Sequence, residues 1–339
     1  MIGGARVAVV MPARDESRLI ASSIRSIPNE VDLLIVVDDG STDDTGNIAQ
    51  QAMRKAGRST DLDSDFARGI SVHTHGIVLR SEGIGVGGAI SLGSRHLLTL
   101  VDSGELPNSN WVVVVMAGDG QMDPSDLPIL IEPIISKQAD HVKGNRFEHP
   151  LGPKGMPLTR RIGTWWLERL TSLASGIRLR DTQCGYTATS LSLLREWDWQ
   201  NTWQGFGYPN WWLMEAGRSG FRVTERPVRS IYGDEKSAIR IYKFLPVVSW
   251  MLWKGVWRRG VEWYLLGKEA GGFRSSQKTR ATATLLWFSA WGLLAAAPLL
   301  AYSLGITWGF AAALAPPAFI LLAALDRREA SRRTRGVGA

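Results

Sequence analysis

Short apolar runs alternate with polar stretches along the first half of the chain, and several of these runs end on acidic residues. Runs suited to buried strands span 6–11, 32–37, 70–79, 111–116 and 141–143, and helical patterns lie between them, for example at 17–27 and 44–55. Such alternation is typical of a mostly parallel sheet with helices on both faces. The pattern therefore predicts an α/β domain.

The most informative run is four consecutive valines, 112–115, followed closely by Asp119, Gln121 and Asp123. A β-branched run of this kind suits a strand that is covered on both faces, and open α/β sheets bind ligands at the carboxyl ends of their strands. The three polar residues alternate along the chain, so an extended segment would direct their oxygens to one side. Such donors suit Mg²⁺ or Mn²⁺ beside a diphosphate, although a simple polar turn would also explain them.

A second strand ends in the sequence VDDGSTDDT, 37–45. Helix capping explains 42–44 but not Asp38 and Asp39, whose acceptor-only oxygens suit a nucleotide base or a ribose hydroxyl. Glu16 follows the first strand near a helix start, where an acidic residue is also favourable without any ligand.

The glycine-rich segment GIGVGG, 83–88, matches the spelling of a dinucleotide-binding loop. We reject that interpretation because the first strand, where this fingerprint usually lies, ends in 12–16 instead, and no strand-ending acid follows about 20 residues later. The glycines would still let backbone N–H groups approach a phosphate.

Residues 281–325 form a run of 45 residues without Asp, Glu, Lys or Arg. Because one membrane span takes roughly 20 apolar residues, the run predicts a transmembrane hairpin with its turn near 302–307, and a buried pair of soluble helices is the alternative. No signal peptide is recognised at the amino terminus. Cys184 is the single cysteine, which excludes an intrachain disulfide and favours a small buried residue.

Positive charge is concentrated around the uncharged run. From 236 to the end there are 15 Lys and Arg residues against four acidic residues, and arginines and lysines lie on both sides of 281–325. Although a nucleic-acid tail could share this composition, the flanking position favours anionic lipid and places both flanks in the cytoplasm. Nucleic acid is therefore not an expected partner.

A tryptophan-rich helical pattern occupies 246–267, with Lys254, Arg258 and Glu262 recurring every four residues. One polar stripe on an apolar helix that is rich in indole predicts a helix lying in the membrane interface, and a helix packed in a protein core is the alternative.

Seven segments in this order resemble the family 2 glycosyltransferases of the GT-A fold, and among them the polyprenyl-phosphate (dolichol-phosphate) mannose and glucose synthases. They are MPARDES, VVDDGSTDDT, GIGVGGAISLG, MAGDGQMDP, KGNRF, DTQCGY and YGDEKSAIR, between about 7 and 240.

The resemblance implies a role for each matching residue. Nucleotide-binding residues would be Pro12, Arg14, Glu16, Asp38, Asp39 and Gly85. Metal ligands would be Asp119 and Gln121, with Asp123 as a third candidate. Arg146 would lie near the sugar or phosphates, and the acceptor would meet Asp181, Gln183, Lys236, Ser237 and Arg240.

One departure from the family pattern and one missing signature affect this interpretation. Ala117 stands where the family usually has an acidic residue, so Asp123 is expected to compensate if two carboxylates are needed. The QxxRW signature of processive polysaccharide synthases is absent, which argues against a polymerase.

We therefore expect a membrane-bound, metal-dependent, inverting transferase that moves mannose or glucose from GDP-mannose or UDP-glucose to polyprenyl phosphate. Phosphate is already ionised at neutral pH and needs no base, whereas a hydroxyl acceptor would need one, and Asp181 would then be the candidate. A glycolipid acceptor, a sugar nucleotidyltransferase and a non-catalytic subunit are the alternatives. The expected organisation is a GT-A catalytic domain at 1–235, interfacial helices at 236–280, the hairpin at 281–325 and a basic cytoplasmic tail at 326–339.

Overall fold

The computed structural model describes residues 1–58, 75–150, 152, 158–231, 241–267, 281–282, 284–289, 303 and 324. Strands and helices alternate through most of this range, as the hydrophobic pattern predicts. The strands are β1 (Arg6–Ala13), β2 (Leu33–Asp39), β3 (His75–Ser81), β4 (Trp111–Val115), β5 (His141–Asn145), β6 (Thr187–Ser190) and β7 (Val223–Pro227). The helices are α1 (Ile20–Ser26), α2 (Thr45–Lys55), α3 (Val86–Asp102), α4 (Leu127–Ile135), α5 (Leu158–Ser175), α6 (Leu191–Glu196), α7 (Tyr208–Arg218) and α8 (Ile241–Gly260).

The seven described strands form one sheet in the order β3-β2-β1-β4-β6-β5-β7. All neighbouring pairs are parallel except the two that involve β6, which is antiparallel to β4 and to β5. The predicted α/β class with a mostly parallel sheet is therefore confirmed. The carboxyl ends of β1, β2, β4 and β5 meet at one edge, where the predicted polar residues lie.

Both faces of the sheet are covered, as expected for a parallel sheet. The valines of β4 divide between the faces: Val112 and Val114 pack in the cluster that contains α1, α2 and α4, and Val113 and Val115 pack against α3, α6 and α7. Cys184 is buried at 4% exposure, which confirms its interpretation as a small buried residue.

A third apolar cluster joins α5, α7 and α8. Val248, Leu252 and Val256 of α8 are buried there, so one side of the tryptophan-rich helix packs on the catalytic domain. The residues of the predicted polar stripe do not all face solvent. Lys254 is exposed, whereas the carboxylate of Glu262 is largely buried and accepts from Arg218 at 2.7 Å.

The predicted hairpin at 281–325 lies almost entirely outside the described residues. Within the part of the chain that is described, no helix combines the length and the hydropathy needed to cross a bilayer. The predicted basic tail at 326–339 and most of the segment at 236–280 outside α8 are also beyond the described ranges, so the predicted domain boundaries stay predictions.

Candidate active site at the carboxyl ends of the strands

The loops that follow β1 and β2 are tied together by hydrogen bonds. The Asp15 carboxylate accepts from the Thr42 backbone N–H at 2.7 Å, and Thr45 Oγ1 accepts from the Glu16 N–H at 2.8 Å. Asp15 takes a left-handed conformation, with φ +55°, which asparagine and aspartate tolerate better than other residues. This interlocking fixes the backbone beside Pro12, Arg14 and Glu16, three of the predicted nucleotide-binding residues.

Asp38 borders an open cavity of about 220 Å³ at the carboxyl ends of β2 and β3. One oxygen of Asp38 accepts from the Ser41 N–H at 3.2 Å, and the residue as a whole is 8% exposed. Arg80 lies in the same cavity and donates to Asn47 at 2.7 Å, so the cavity holds both a carboxylate and a guanidinium. This combination of acceptor and donor suits a nucleoside.

Asp39 has a different environment from its neighbour. Its two oxygens accept from the N–H groups of Ile84 and Gly85 at 2.7 and 2.8 Å, and Ser81 Oγ donates to it at 2.7 Å. The carboxylate thus holds the glycine-rich loop in place, while Asp38 faces the cavity. Sequence alone does not separate the two, since adjacent residues on a strand point to opposite faces.

The glycines of this loop allow it to approach the segment before α7 closely. The N–H groups of Gly87 and Gly88 both donate to the Gln204 carbonyl, and a Cβ atom at Gly87 would lie 2.1 Å from the Trp203 carbonyl oxygen. The N–H groups of Gly85, Gly87 and Gly88 therefore bond to protein acceptors. Phosphate contacts through these N–H groups, as the sequence suggested, would require those bonds to exchange.

Asp119, Gln121 and Asp123 follow β4 in a tight loop, but they are not equivalent. Asp119 accepts from the Gln121 N–H at 3.0 Å, whereas Asp123 caps the following turn by accepting from Ser125 and lies 3.4 Å from the Arg229 guanidinium. Burial alone would raise the pKa of Asp123, but the bonds from Ser125 and the Arg229 charge outweigh it and lower that pKa.

Within the described ranges, no three acidic, histidine or cysteine side chains converge on a possible metal position. One carboxylate at a strand end still fits Mg²⁺, which often takes one or two carboxylates and completes its shell with substrate phosphates and water. Both aspartates accept from the backbone N–H two residues later, but Asp123 is also paired with Arg229, so Asp119 is the stronger candidate for that arrangement. Its metal role and that of Gln121 stay predictions.

The segment after β7 lies against this loop. The Ile231 N–H donates to the Gln121 carbonyl at 3.0 Å, and the Arg229 N–H donates to Asp126 at 2.7 Å. Arg229 was not predicted as a site residue, because nothing in the local pattern links it to a loop about 100 residues earlier.

Arg146 and Asp181, both predicted at the reaction centre, form a close ion pair. Arg146 Nε and Nη2 donate to the two Asp181 oxygens at 2.7 and 2.9 Å, and the Arg146 backbone N–H donates a third bond at 3.0 Å. The Asp181 side chain is fully buried, while that of Arg146 is 15% exposed. Burial alone would raise the pKa of Asp181, but the Arg146 charge and hydrogen bonds outweigh it and hold that pKa below its usual value.

Two further charged residues, which the sequence did not indicate, lie beneath this pair. Lys143 is fully buried and donates to the Cys184 carbonyl, and burial lowers the pKa of its ammonium to about 8. Glu225 accepts from the N–H groups of Arg180 and Asp181 at 2.9 Å, and burial raises the pKa of its carboxyl. Both residues hold the backbone of the segment that carries Asp181.

The predicted acceptor residues are only partly described. Gln183 donates from its amide to Asn210 at 2.6 Å, and Asn210 donates to Thr171, so Gln183 is held by a buried amide on α7. Lys236, Ser237 and Arg240 lie outside the described residues.

Tyr208 contacts both the segment that follows Asp181 and the glycine-rich loop. Its hydroxyl lies 3.3 Å from the Gly185 carbonyl, and a Cβ atom at Gly87 would lie 2.8 Å from its own Cβ. Burial, together with the nearby Asp119 carboxylate, raises the pKa of its phenol further above neutral pH. The sequence carried no signal for Tyr208, because an aromatic residue at a helix start commonly serves in packing.

The sequence profile described as "Glycosyl transferase family 2" matches residues 8–200, more than half of the chain. The chain belongs to glycosyl transferase family 2. The family accounts for a GT-A arrangement in which a mixed, mostly parallel sheet carries the polar loops described above.

Named relatives of this family 2 chain include a UDP-N-acetylglucosamine–dolichyl-phosphate N-acetylglucosaminyltransferase of Methanococcus voltae. It is 26% identical over 231 residues, which are 68% of this chain and 87% of that protein. Glycosyltransferase AglD of Haloferax volcanii is 27% identical over 66% of this chain and 33% of its own length. An uncharacterised glycosyltransferase of Mycobacterium tuberculosis is 27% identical over 67% of this chain and 86% of its own.

Among solved structures, glucosyl-3-phosphoglycerate synthase from Mycobacterium tuberculosis, in complex with Mn²⁺, uridine diphosphate and phosphoglyceric acid, superposes with a TM-score of 0.48 at 20% identity. The match covers 76% of this chain and 79% of that one. This similarity is too weak to transfer any residue role.

Proposed function

We propose that this family 2 glycosyltransferase is membrane-bound and moves a hexose, with inversion, from a nucleotide sugar to polyprenyl phosphate on the cytoplasmic face. The observation that carries the proposal is the environment of Asp181. Its oxygens are occupied by Arg146, its side chain is buried and its pKa is lowered, so it is poorly placed to accept a proton from a hydroxyl group. An acceptor that needs no base fits such a site.

A phosphate monoester is such an acceptor. With a second pKa near 6 it is mostly a dianion at neutral pH, so an oxygen can attack the anomeric carbon without losing a proton. The Arg146 side chain, which pairs with Asp181, is 15% exposed, and a guanidinium pairs well with phosphate. The Methanococcus relative, whose name gives dolichyl phosphate as its acceptor, supports the same class of lipid.

The nucleotide sugar would occupy the edge formed by β1, β2 and β4. Asp38 and Arg80 border the cavity proposed for the nucleoside, and Asp119 would hold a divalent ion, Mg²⁺ or Mn²⁺, against the diphosphate. When bound, such an ion neutralises charge that develops on the leaving diphosphate. We propose GDP-mannose or UDP-glucose as the donor, and the name of the Methanococcus relative adds UDP-N-acetylglucosamine to the donors that should be tested.

Membrane attachment is proposed from the sequence around the catalytic domain. The uncharged run at 281–325 is long enough for two spans, and the flanking lysines and arginines favour the cytoplasm for both termini. If a protease added outside sealed cells removed the tail after Leu325, this topology would be wrong.

The activity is tested by product analysis with membranes that contain the full chain and radiolabelled nucleotide sugars. We expect label in a lipid-soluble product that mild acid releases as free sugar, as a glycosyl phosphate should, together with release of a nucleoside diphosphate. A product stable to mild acid would indicate a glycolipid or another hydroxyl acceptor. Release of pyrophosphate would indicate a nucleotidyltransferase, and no product with any donor would favour a non-catalytic subunit.

A further inference from the structure

Exposed apolar side chains are concentrated on two helices of the catalytic unit. Ile162, Trp165 and Trp166 of α5 and Val247 and Trp250 of α8 are between 45% and 61% exposed. Trp165 and Trp166 follow Ile162 by three and four residues, and Trp250 follows Val247 by three, which places each set on one side of its helix. Large apolar side chains are costly to leave in water, so five such positions together, three of them tryptophan, need an explanation.

The two sets form one continuous surface, because the helices lie side by side and run in the same direction. Trp166 Nε1 donates to Ser249 Oγ at 3.0 Å, and further along Arg259 Nε donates to the Ala174 carbonyl at 3.1 Å. Trp166 of α5 and Trp250 of α8 therefore lie at the same level. We call the surface formed by Ile162, Trp165, Trp166, Val247 and Trp250 the tryptophan face.

Cations border the tryptophan face one helical turn further on. The Arg169 guanidinium lies 5.6 Å from the Trp165 ring centroid, and the Lys254 ammonium lies 6.0 Å from that of Trp250. The sequence of α8 contains no acidic residue, and Glu168, the acidic residue of α5, is partly buried. The face is thus aromatic in the middle and positive at its border.

We propose that the tryptophan face docks on the lipid bilayer, with its indole rings at the headgroup level and Arg169 and Lys254 against anionic lipids. Indole prefers this level, and basic residues next to it are attracted by the negative surface potential. A second copy of this chain would present the same cations and be repelled, so it suits the face less well.

Continuity with the uncharged run supports the same occupant. The ring centroid of Trp287, near the start of that run, lies 6.0 Å from that of Trp257 on α8. The chain therefore begins its uncharged segment against the helix that carries two of the five residues of the tryptophan face. The inference rests on the proposed function for the presence of a membrane and deepens it, because α5 belongs to the catalytic domain rather than to the segment predicted from sequence to lie in the interface.

The test measures depth in the bilayer without requiring catalysis. The full chain is prepared with Trp165→Cys or Trp250→Cys, labelled with a nitroxide and reconstituted in vesicles of phosphatidylcholine and phosphatidylglycerol. Ile129→Cys is the matched control, because Ile129 is 38% exposed on α4, on the opposite face of the sheet from α7. The parent chain controls for the labelling of the buried Cys184.

We expect the nitroxides at 165 and 250 to collide more often with dissolved oxygen, which concentrates in lipid, than with a water-soluble nickel complex, and the nitroxide at 129 to show the reverse. Replacing the border cations by glutamine, Arg169→Gln with Lys254→Gln, should move the labels toward water. Nickel accessibility at 165 and 250 equal to that at 129 would overturn the proposal. So would low accessibility to both reagents, because it would mean that protein covers the face.

A second measurement applies if the labelled variants do not fold. Brominated lipids should quench part of the tryptophan fluorescence of the unsubstituted chain, and replacing Trp165, Trp166 and Trp250 by phenylalanine should reduce the quenched part, while Trp291 and Trp308 of the uncharged run stay quenched. Unchanged quenching in that variant would refute the docking surface, whereas failure of the proposed reaction would leave both measurements unaffected.

Discussion

The buried carboxylate of Asp181 accepts three hydrogen bonds from Arg146, two from its guanidinium and one from its backbone N–H. The pair joins the end of β5 to the segment 181–184 and leaves Arg146 as the partner with solvent contact. We therefore propose that Asp181 orients Arg146 and that the guanidinium of Arg146 contacts the substrate phosphates.

Asp181→Asn should therefore lower activity through Arg146 rather than through the loss of a base. We expect a loss of stability of about 3 kcal/mol, the lower end for breaking a buried pair since Arg146 keeps some solvent contact. The shape of the pH–rate profile should not change. The measurement is a double-mutant cycle with Arg146→Lys: if one residue acts through the other, the double variant should be no worse than the worse single variant. If the activity losses of the two single variants add fully in the double variant, and if the rate of Asp181→Asn no longer falls at low pH, Asp181 acts as a base.

Asp119→Asn and Asp123→Asn should have different effects, although both residues were predicted as metal ligands. Asp119→Asn removes the carboxylate placed for the ion, so turnover should fall by at least about 100-fold and excess Mn²⁺ should not restore it fully. Asp123→Asn weakens a cap and the contact with Arg229, so it should cost about 1 kcal/mol of stability and leave most of the activity. Steady-state rates across a Mn²⁺ titration decide this, and equal loss in both variants would show that Asp123 compensates for Ala117.

Sequence predicted the sheet well where the hydrophobic signal was strong. The run predicted at 111–116 is β4, Trp111–Val115, and its side chains divide between the two faces as expected of a doubly covered strand. By contrast, β6 was not predicted. Its four residues, Thr187–Ser190, carry neither an apolar run nor a clear alternation, and only pairing with β4 and β5 makes them a strand.

The candidate site shows the same limit at the level of single residues. The sequence identified Asp38 and Asp39 together, yet tertiary contacts assign one to a cavity and the other to the glycine-rich loop. Lys143 begins the segment KGNRF, but no role was predicted for it, because the burial of a lysine depends on what covers it in the folded chain. Roles that depend on contacts across about 40 residues or more of sequence were not predictable from local pattern.

Asp39→Asn and Asp38→Asn should separate structural support from nucleotide contact. Asp39→Asn places an amide against the N–H groups of Ile84 and Gly85, which should cost about 2 kcal/mol and lower the melting temperature by roughly 4–8 °C. Asp38→Asn should leave the melting temperature nearly unchanged and weaken nucleotide binding. Thermal unfolding and calorimetric titration of the nucleoside diphosphate provide the two readouts, and the reverse assignment of effects would contradict the geometry.

Lys143→Met should change the pH dependence of stability. In the folded chain burial lowers the pKa of Lys143 from 10.5 to about 8. The unfolded chain therefore binds more protons between these pH values, and the stability of the wild type should rise through this window by about 3 kcal/mol relative to the variant. Below about pH 8 the variant avoids the burial penalty, which outweighs the attraction of the ammonium to Asp181 and Glu225, and it loses the bond to the Cys184 carbonyl, so it should be the more stable protein.

The melting temperatures of both proteins at pH 7 and pH 10 give the measurement. Taking the difference between them cancels the titration of all other groups. If the difference in melting temperature between the wild type and the variant is the same at pH 7 and pH 10, Lys143 is not held in a low-dielectric site.

The choice of acceptor tests the account most directly. Purified enzyme is supplied with each nucleotide sugar and either polyprenyl phosphate or the polyprenol of the same length, so that the two acceptors differ only in the ionised group. The account predicts transfer to the phosphate and none to the alcohol, with Asp181→Asn slowing transfer but not changing that choice. Transfer to the polyprenol, with none to the phosphate, would contradict it.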